Sequence, residues 1–122
     1  ERDIRDLMGK KYGMGGFVVT EVNRPIGYTI YDNSKGVLEI VNLVVHQDYR
    51  RRGVASLLLE KLYTRSHWSS VQTYVRETNL NAHLFFKKQG FLATGVKHRY
   101  FEDHVFGKVS FEDAYHFKKE KA

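Results

Sequence analysis

Short segments rich in β-branched, aromatic and other apolar residues, separated by turn residues, predict strands in the N-terminal half of the chain. Strands are predicted over 17–22 and 27–31, with a tight turn at Asn23-Arg24-Pro25 between them. A loop over 32–36 precedes a third predicted strand over 38–46, which is rich in β-branched residues. This order is typical of antiparallel hairpins.

Helical spacing appears at three places in the chain. Residues 2–10 are predicted to form a short helix that ends before the glycines at 13–16. From Gly53 to Ser66, apolar residues recur every three or four positions, which predicts an amphipathic helix. Another helix is predicted from Thr78 or Asn79 to Gln89, with Gly90 as its left-handed C-terminal stop.

Three further strands are predicted over 70–76, 91–98 and 114–117. The predicted order is therefore α-β-β-β-α-β-α-β-β, which indicates an α/β protein with a mixed sheet and helices packed on it. At 122 residues the chain has the length of one ordinary domain, so we expect a single domain over residues 1–122.

Composition narrows the classes of function. The chain has no cysteine, which excludes thiol nucleophiles, and its six histidines lack a metal-binding spacing, so we expect no metal. A net charge of +6 favours anionic partners such as phosphate-bearing cofactors or nucleic acid. No apolar run approaches the ~20 residues that span a bilayer, and the first residues do not resemble a signal peptide. We therefore expect a cytoplasmic protein without a membrane partner.

The segment from Val44 to Ser56 is the most informative part of the sequence. A predicted strand leads through Arg50-Arg51-Arg52 to Gly53 at the start of a helix, where backbone N–H groups and the helix dipole favour an anion. Gly53 allows close approach of a phosphate, and Ala55 keeps the first turn small. The alternative is a solvated basic turn before a core helix, and the spacing alone leaves both interpretations open. The segment is not a Walker loop.

Three segments carry a resemblance to a known family. Arg50-Arg51-Arg52-Gly53-Val54-Ala55 resembles the (Arg/Gln)-x-x-Gly-x-(Gly/Ala) signature of the GCN5-related N-acetyltransferases, the GNAT superfamily. Residues 79–91 resemble its N-x-x-A-x-x-x-Y-x-x-x-G-F segment, and Val75-Arg76 precedes them as in the family. With Asn42-Leu43-Val44-Val45, these segments are most similar to the RimI-like branch, the ribosomal-protein-alanine N-acetyltransferases. The resemblance covers roughly residues 15–117.

The resemblance implies the GNAT acyl-CoA N-acyltransferase fold, shortened at its N-terminus because the chain begins in what resembles the family's second helix. It also implies acetyl-CoA as the cofactor, with its pyrophosphate held by the basic loop. The cofactor-binding residues expected on this basis are Leu43, Val44, Val45, Arg50, Arg51, Arg52, Gly53, Val54, Ala55, Ser56, Asn79 and Phe86.

Glu39 is the candidate catalytic base. An amine must lose a proton before it attacks a thioester. Glu39 precedes the basic loop on a predicted strand, and a regular alternation would place it on one face with Val41, Leu43 and Val45. The alternative is a surface carboxylate paired with a cation. Phe86 stands where the family has the tyrosine that protonates the leaving thiolate, so water would have to supply that proton.

Tyr100 is the second catalytic candidate. It resembles the first of two tyrosines that RimI-like proteins place in the loop after the sixth strand to contact the acceptor, and Phe101 replaces the second. Tyr74, which stands where the family has a glutamate, is expected to line the acceptor groove. Simple edge packing and a core position are the alternatives for these aromatic residues.

These observations predict an acetyl-CoA-dependent N-acetyltransferase that acts by direct attack on a protein or peptide N-terminal α-amine, with a ribosomal protein as one candidate acceptor. A lysine or small-molecule amine is an alternative acceptor. A catalytically weak CoA-binding regulatory domain would explain Phe86 and the short N-terminus. A nucleic-acid-binding module explains only the charge, so no direct nucleic-acid binding is expected. The sequence leaves the oligomeric state open.

Overall fold

The computed structural model describes residues 2–11 and 13–121 of the chain. These residues form seven strands and two α-helices. Their bounds are β1 Arg2–Lys11, β2 Met14–Glu21, β3 Arg24–Asp32, β4 Leu38–Val45, α1 Val54–Arg65, β5 Ser70–Arg76, α2 Leu80–Lys88, β6 Leu92–Val105 and β7 Lys108–Glu120. They divide into two compact units, an N-terminal unit of Glu1–Ser69 and a C-terminal unit of Ser70–Ala122.

In the N-terminal unit, β1 to β4 lie side by side in chain order and pair antiparallel. Helix α1 packs on one face of this sheet because Val54, Leu58 and Leu62 recur every four residues and are fully buried. Gly27 on β3 allows this packing, since a Cβ there would lie 2.9 Å from Cγ1 of Val54 and 3.0 Å from the Val44 carbonyl oxygen. The close approach fixes where α1 begins relative to the end of β4.

The helix predicted for residues 2–10 is wrong, because Arg2–Lys11 form strand β1 at the edge of the sheet. Ile4 and Leu7 have a helical spacing, but backbone pairing with β2 prevails, with Ile4 opposite Val19. Two salt bridges also hold β1 in place: Arg2 to Glu21 of β2 at 3.3 Å, and Asp6 to Arg65 of α1 at 3.2 Å. Nonlocal pairing thus overrides a weak local pattern, and the resemblance of this segment to a family helix does not hold.

The first hairpin turn lies one residue earlier than predicted. Val22 and Asn23 have φ values of 51° and 63°, the left-handed pair of a two-residue hairpin turn, so Arg24 and Pro25 already belong to β3. Strand β2 also starts three residues early, at Met14, and includes two glycines. Gly15 is required there because a Cβ would overlap the ring of Tyr31.

In the C-terminal unit, β7 lies between β5 and β6 and pairs antiparallel with both. Helix α2 contributes Phe86 to a core with Phe91 and Phe117, with ring centroids 5.1 and 6.2 Å from that of Phe86. The helix starts at the Asn79 cap, and Gly90 follows it with φ 92°, so both predicted ends are confirmed. The strand predicted over 70–76 and helix α1 are confirmed as well.

Strands β6 and β7 are much longer than predicted and form one hairpin that turns at Phe106-Gly107. The charged segment after His98 was predicted as a loop, but it continues the strand through a bulge. Two extra residues lie in β6 between the pairs formed by Lys97 and Phe101, and Arg99 has φ 53°. The Asp113 carboxylate stabilises the bulge by accepting the Arg99 N–H at 2.9 Å. Tyr100 therefore lies within β6, and its expected position in a loop is corrected.

Both helices found here are short: within residues 2–11 and 13–121, neither is long and apolar enough to cross a membrane.

Candidate functional site

The loop between β4 and α1 forms a backbone cradle at the start of a helix. After a short 3-10 turn at Gln47–Tyr49, the chain reaches Gly53, which has φ 78° and lies at the N-cap of α1 without a side-chain cap. The first helical hydrogen bond runs from the Leu57 N–H to the Gly53 carbonyl at 3.0 Å. The N–H groups of Val54 and Ala55 precede this bond and have no partner within the helix. A Cβ on Gly53 would have no described atom within 4 Å, so the space in front of this turn is open.

The charges around this cradle favour an anion. No acidic residue lies in the first turn of α1, and the three preceding arginines are exposed. Arg50 bends back to donate to the Val45 carbonyl at 3.3 Å, and the Arg52 guanidinium lies 5.3 Å from the centre of the Tyr49 ring. A cleft of about 510 Å³, lined partly by Arg24 and Arg52, opens beside the loop. The geometry fits the anion-binding interpretation of this segment.

The other cofactor residues predicted in the N-terminal unit differ in exposure. Val44 is 40% exposed at the end of β4, with Leu43 and Val45 half-buried beside it. Ala55 and Ser56 are half-buried in the first turn of α1. Val54 is buried in the core, so only its backbone can face a ligand.

Glu39 lies on β4, but not on the sheet face that was predicted. Tyr31 pairs with Ile40 and Ile30 pairs with Asn42, so Val41 is an extra residue that forms a bulge. The bulge reverses the alternation, because a shift of one residue moves every later side chain to the opposite face. Glu39 therefore shares a face with Asn42 and Val44 rather than with Val41, Leu43 and Val45. Its role as the base stays a prediction.

Asn79 lies where the C-terminal unit turns from β5 into α2. Its side-chain oxygen accepts the Ala82 N–H at 3.1 Å, and its backbone N–H donates to the Arg76 carbonyl at 3.0 Å. Within the described part of the chain, its Nδ2 has no hydrogen-bond partner. This group can donate to a ligand while the oxygen caps the helix.

Phe86 is 5% exposed and belongs to the aromatic core of the C-terminal unit. Its ring also lies 5.2 Å from that of Phe85, at 74°. A hydrocarbon ring in this position donates no proton. Its contact with a cofactor stays a prediction.

The three predicted acceptor residues lie together on the face of the β5–β7–β6 sheet opposite α2. The rings of Tyr74 and Tyr100 stack with centroids 4.7 Å apart at 19°, and Phe101 meets Tyr100 edge-on at 4.9 Å. Two cations that the sequence did not predict lie around these rings. Lys97 Nζ lies 5.4 and 5.3 Å from the two tyrosine centroids, and the Arg76 guanidinium lies 4.4 Å from the Phe101 centroid. Together these residues form an aromatic platform with cationic neighbours.

A cluster of charged hydrogen bonds beside the platform was missed entirely. Arg76 binds both carboxylate oxygens of Asp103 at 2.9 and 3.0 Å and Oε1 of Glu112 at 3.0 Å. Oε2 of Glu112 accepts the Thr78 hydroxyl at 2.5 Å and the Thr78 N–H at 2.8 Å. We call these four residues the Arg76 clasp. Arg76 and Thr78 were singled out from the sequence for other reasons, but their contacts were not predicted, because the two carboxylates come from distant parts of the β6–β7 hairpin.

The clasp lowers the pKa of both its carboxyl groups. The hydrogen bond from Arg76 is the main cause for Asp103, and the Thr78 hydroxyl is the main cause for Glu112. Both carboxylates are therefore ionised at neutral pH. Across the described residues, no group of three His, Asp or Glu side chains comes together in a way that could hold a metal ion.

Comparisons with known proteins agree with the sequence resemblance. The family described as the acetyltransferase (GNAT) domain matches residues 14–92, more than half of the chain. A search of curated protein sequences finds no significant match.

Solved structures share the fold. The ribosomal-protein-S18-alanine N-acetyltransferase from Escherichia coli has a TM-score of 0.81 at 17% identity, covering 98% of this chain and 94% of its own. A GNAT family acetyltransferase from Elizabethkingia anophelis with acetyl-CoA bound has a TM-score of 0.80 at 12% identity, covering 98% of both chains. Naa20 from Chaetomium thermophilum, in complex with a bisubstrate analogue, has a TM-score of 0.75 at 27% identity, covering 86% of this chain and 65% of that one. With its basic loop, its two helices and the matching family domain, the chain belongs to the GNAT superfamily of acetyl-CoA-dependent N-acetyltransferases.

Proposed function

We propose that this protein acetylates the N-terminal α-amine of a protein or peptide, with acetyl-CoA as the donor. The observation that carries the proposal is the cradle at Gly53, which is open in front, lacks acidic residues in the first helical turn and follows three arginines. A cytoplasmic location and a ribosomal-protein acceptor are parts of the same proposal.

The residues present fit the cofactor. A pyrophosphate is an anion, and the backbone of Gly53 to Ala55 with the arginines before it offers donors and positive charge. No carboxylate lies in the first turn of α1 itself. Asn79 adds a neutral amide donor through Nδ2. When bound, acetyl-CoA supplies the acetyl group as an activated thioester. Leu43 to Val45 are proposed to present backbone N–H groups toward the reacting carbonyl.

The aromatic platform supports a peptide acceptor. Tyr100 is 37% exposed, and Tyr74 and Phe101 are half-buried beside it. Aromatic side chains that are partly exposed can pack against the backbone and first side chain of a peptide. The E. coli neighbour is named for an alanine of a ribosomal protein, and Naa20 was crystallised with a bisubstrate analogue. The name of the E. coli neighbour supports a polypeptide acceptor.

The two proton transfers are proposed to use Glu39 and water. Glu39 is proposed to take the proton that the attacking amine must lose, either directly or through water. Because Phe86 cannot donate a proton, water is proposed to protonate the leaving thiolate. A thiol with a pKa of ~8.5 is a leaving group that does not require a strong acid.

The buried hydrocarbon ring of Phe86 also favours a second candidate, a CoA-binding domain with weak catalysis. Thiol release from acetyl-CoA distinguishes the two candidates when it is measured with peptides that start with Ala, Ser or Met. An Nα-blocked lysine peptide and a polyamine serve as other acceptors, and Gly53→Glu is the control variant. We expect turnover with the free N-termini that Gly53→Glu abolishes. CoA binding without turnover would favour the second candidate, and turnover with lysine or polyamine alone would reassign the acceptor.

A further inference from the structure

Strand β7 extends past the end of β5. The last pair between them joins Arg76 to Ala114, so Glu112 lies just beyond it, beside the turn from β5 into α2. The Glu112 side chain is only 19% exposed, less than the 38% of Arg76 and the 37% of Asp103. Glu112 is therefore the most enclosed charged residue of the Arg76 clasp.

Glu112 uses both carboxylate oxygens to hold this turn. Oε1 accepts from Arg76 at 3.0 Å, whereas Oε2 accepts both the hydroxyl and the backbone N–H of Thr78 at 2.5 and 2.8 Å. Two bonds to one residue, one of them to its backbone, fix the path of the chain as well as the side chain.

Thr78 is the residue immediately before Asn79. The Asn79 backbone has φ −86° and ψ 75°, outside the helical range, and its N–H bonds to the Arg76 carbonyl at 3.0 Å. The Ala82 N–H, in the first turn of α2, donates a hydrogen bond to the Asn79 side-chain oxygen. The backbone N–H and the side-chain oxygen of Asn79 are thus both held by hydrogen bonds. These two contacts fix the orientation of its Nδ2 group.

We propose that Glu112, acting through Thr78, is a positioning residue that orients the Asn79 amide toward the cofactor. The inference rests on the proposed function, in which Asn79 binds acetyl-CoA. A binding group must be held within about 0.5 Å of its productive position by its neighbours. Glu112 meets this need without touching the ligand itself.

Two variants break the link between Glu112 and Asn79, and a third restores it. Glu112→Gln keeps the shape but removes the charge and replaces one acceptor oxygen by a donor. Thr78→Val removes the hydroxyl and keeps the N–H, and Thr78→Ser restores the hydroxyl. Calorimetric titration with CoA should show affinity weakened about three- to tenfold in Glu112→Gln and Thr78→Val, the size expected for one or two hydrogen bonds, and near-parental affinity in Thr78→Ser. Glu102→Gln is the matched control, because this carboxylate pairs with His104 at 3.4 Å on the same hairpin, outside the clasp.

A double-mutant cycle with Asn79→Ala separates positioning from general destabilisation. If Thr78 acts through Asn79, Thr78→Val should weaken CoA binding in the parent and have no further effect in the Asn79→Ala background. Equal effects in both backgrounds would overturn the inference, as would parental CoA affinity in Thr78→Val. If Asn79→Ala alone leaves affinity unchanged, the proposed role of Asn79 itself fails. Should Glu112→Gln not fold, the Val and Ser variants of Thr78 still decide.

Discussion

A glycine can be required at the start of α1 for its positive φ or for the space that it leaves to a phosphate. Gly53→Ala distinguishes these two reasons. With φ at 78°, any L-residue with a Cβ is strained there, yet the added Cβ would have no described atom within 4 Å. The cost to folding is therefore backbone strain alone, about 1 kcal/mol for a left-handed residue. At an unfolding entropy of about 2.1 cal/mol/K per residue, a chain of this length should melt about 4 °C lower.

Cofactor binding should suffer more than stability does. The open space in front of Gly53 is where a phosphate would approach the backbone, so the new methyl group should displace it and weaken CoA binding at least about tenfold. At a CoA concentration of about 100 times the parental Kd, the parent gains about 2.7 kcal/mol, and a tenfold weaker variant gains about 1.4 kcal/mol. The CoA-induced rise in melting temperature should therefore be about half as large in the variant.

Gly36→Ala is the matched control, because Gly36 has φ 79° and also has no described atom within 4 Å of a built Cβ. It lies in the loop between β3 and β4, away from the cradle. Differential scanning calorimetry with and without CoA should show the same strain in both variants and a reduced CoA effect only in Gly53→Ala. An equal CoA effect in the two variants would show that Gly53 serves only the backbone.

Asn79→Ala should lose about 1 kcal/mol of stability with the helix cap and should also bind CoA more weakly in calorimetry; equal CoA affinity would refute a ligand role. Glu39→Gln should lower kcat by about 10²–10⁴-fold with unchanged CoA affinity, and the acidic limb of its pH–rate profile should vanish; an unchanged rate and profile would make Glu39 a surface carboxylate. Because the clasp lowers the pKa of Asp103 and Glu112, its stabilisation is present above their ordinary pKa and is lost as pH falls through the lowered values, below about pH 4. Asp103→Asn should melt lower at pH 7 and lose less between pH 5 and pH 2; a parallel acid dependence would exclude this carboxylate as a cause.

Elements whose causes are local could be predicted from the sequence. Helix α2 has its cap at Asn79 and its stop at Gly90 in the sequence itself, and α1 has its buried stripe, so both were predicted nearly to the residue. Strand β1 could not be predicted, because its structure depends on pairing with β2. The outer part of the β6–β7 hairpin was not predicted for a related reason, because its charged residues are typical of a loop. The bulge at Arg99 is explained by Asp113 on the opposite strand.

The candidate site, too, has parts with local causes, which the sequence predicts, and parts that depend on pairing between distant strands. The cradle at Gly53 is made by consecutive residues and by backbone groups, so a pattern of residue types was enough to find it. The face occupied by Glu39 was mispredicted because the bulge at Val41 is visible only in the register between β3 and β4. The contacts of Arg76 with Asp103 and Glu112 depend on register in the same way.

Two adjacent residues of β7 support Asn79, which is proposed to bind the cofactor, and Tyr100, which is proposed to contact the acceptor. Glu112 holds Thr78, next to the Asn79 cap, and Asp113 holds the bulge that sets the position of Tyr100. The two supports are one step apart on β7, and each holds its partner by a hydrogen bond from the backbone. A change in the twist or register of β7 at this point would therefore move Asn79 and Tyr100 together. The register of β7 thus sets the geometry of both groups that are proposed to meet the substrates.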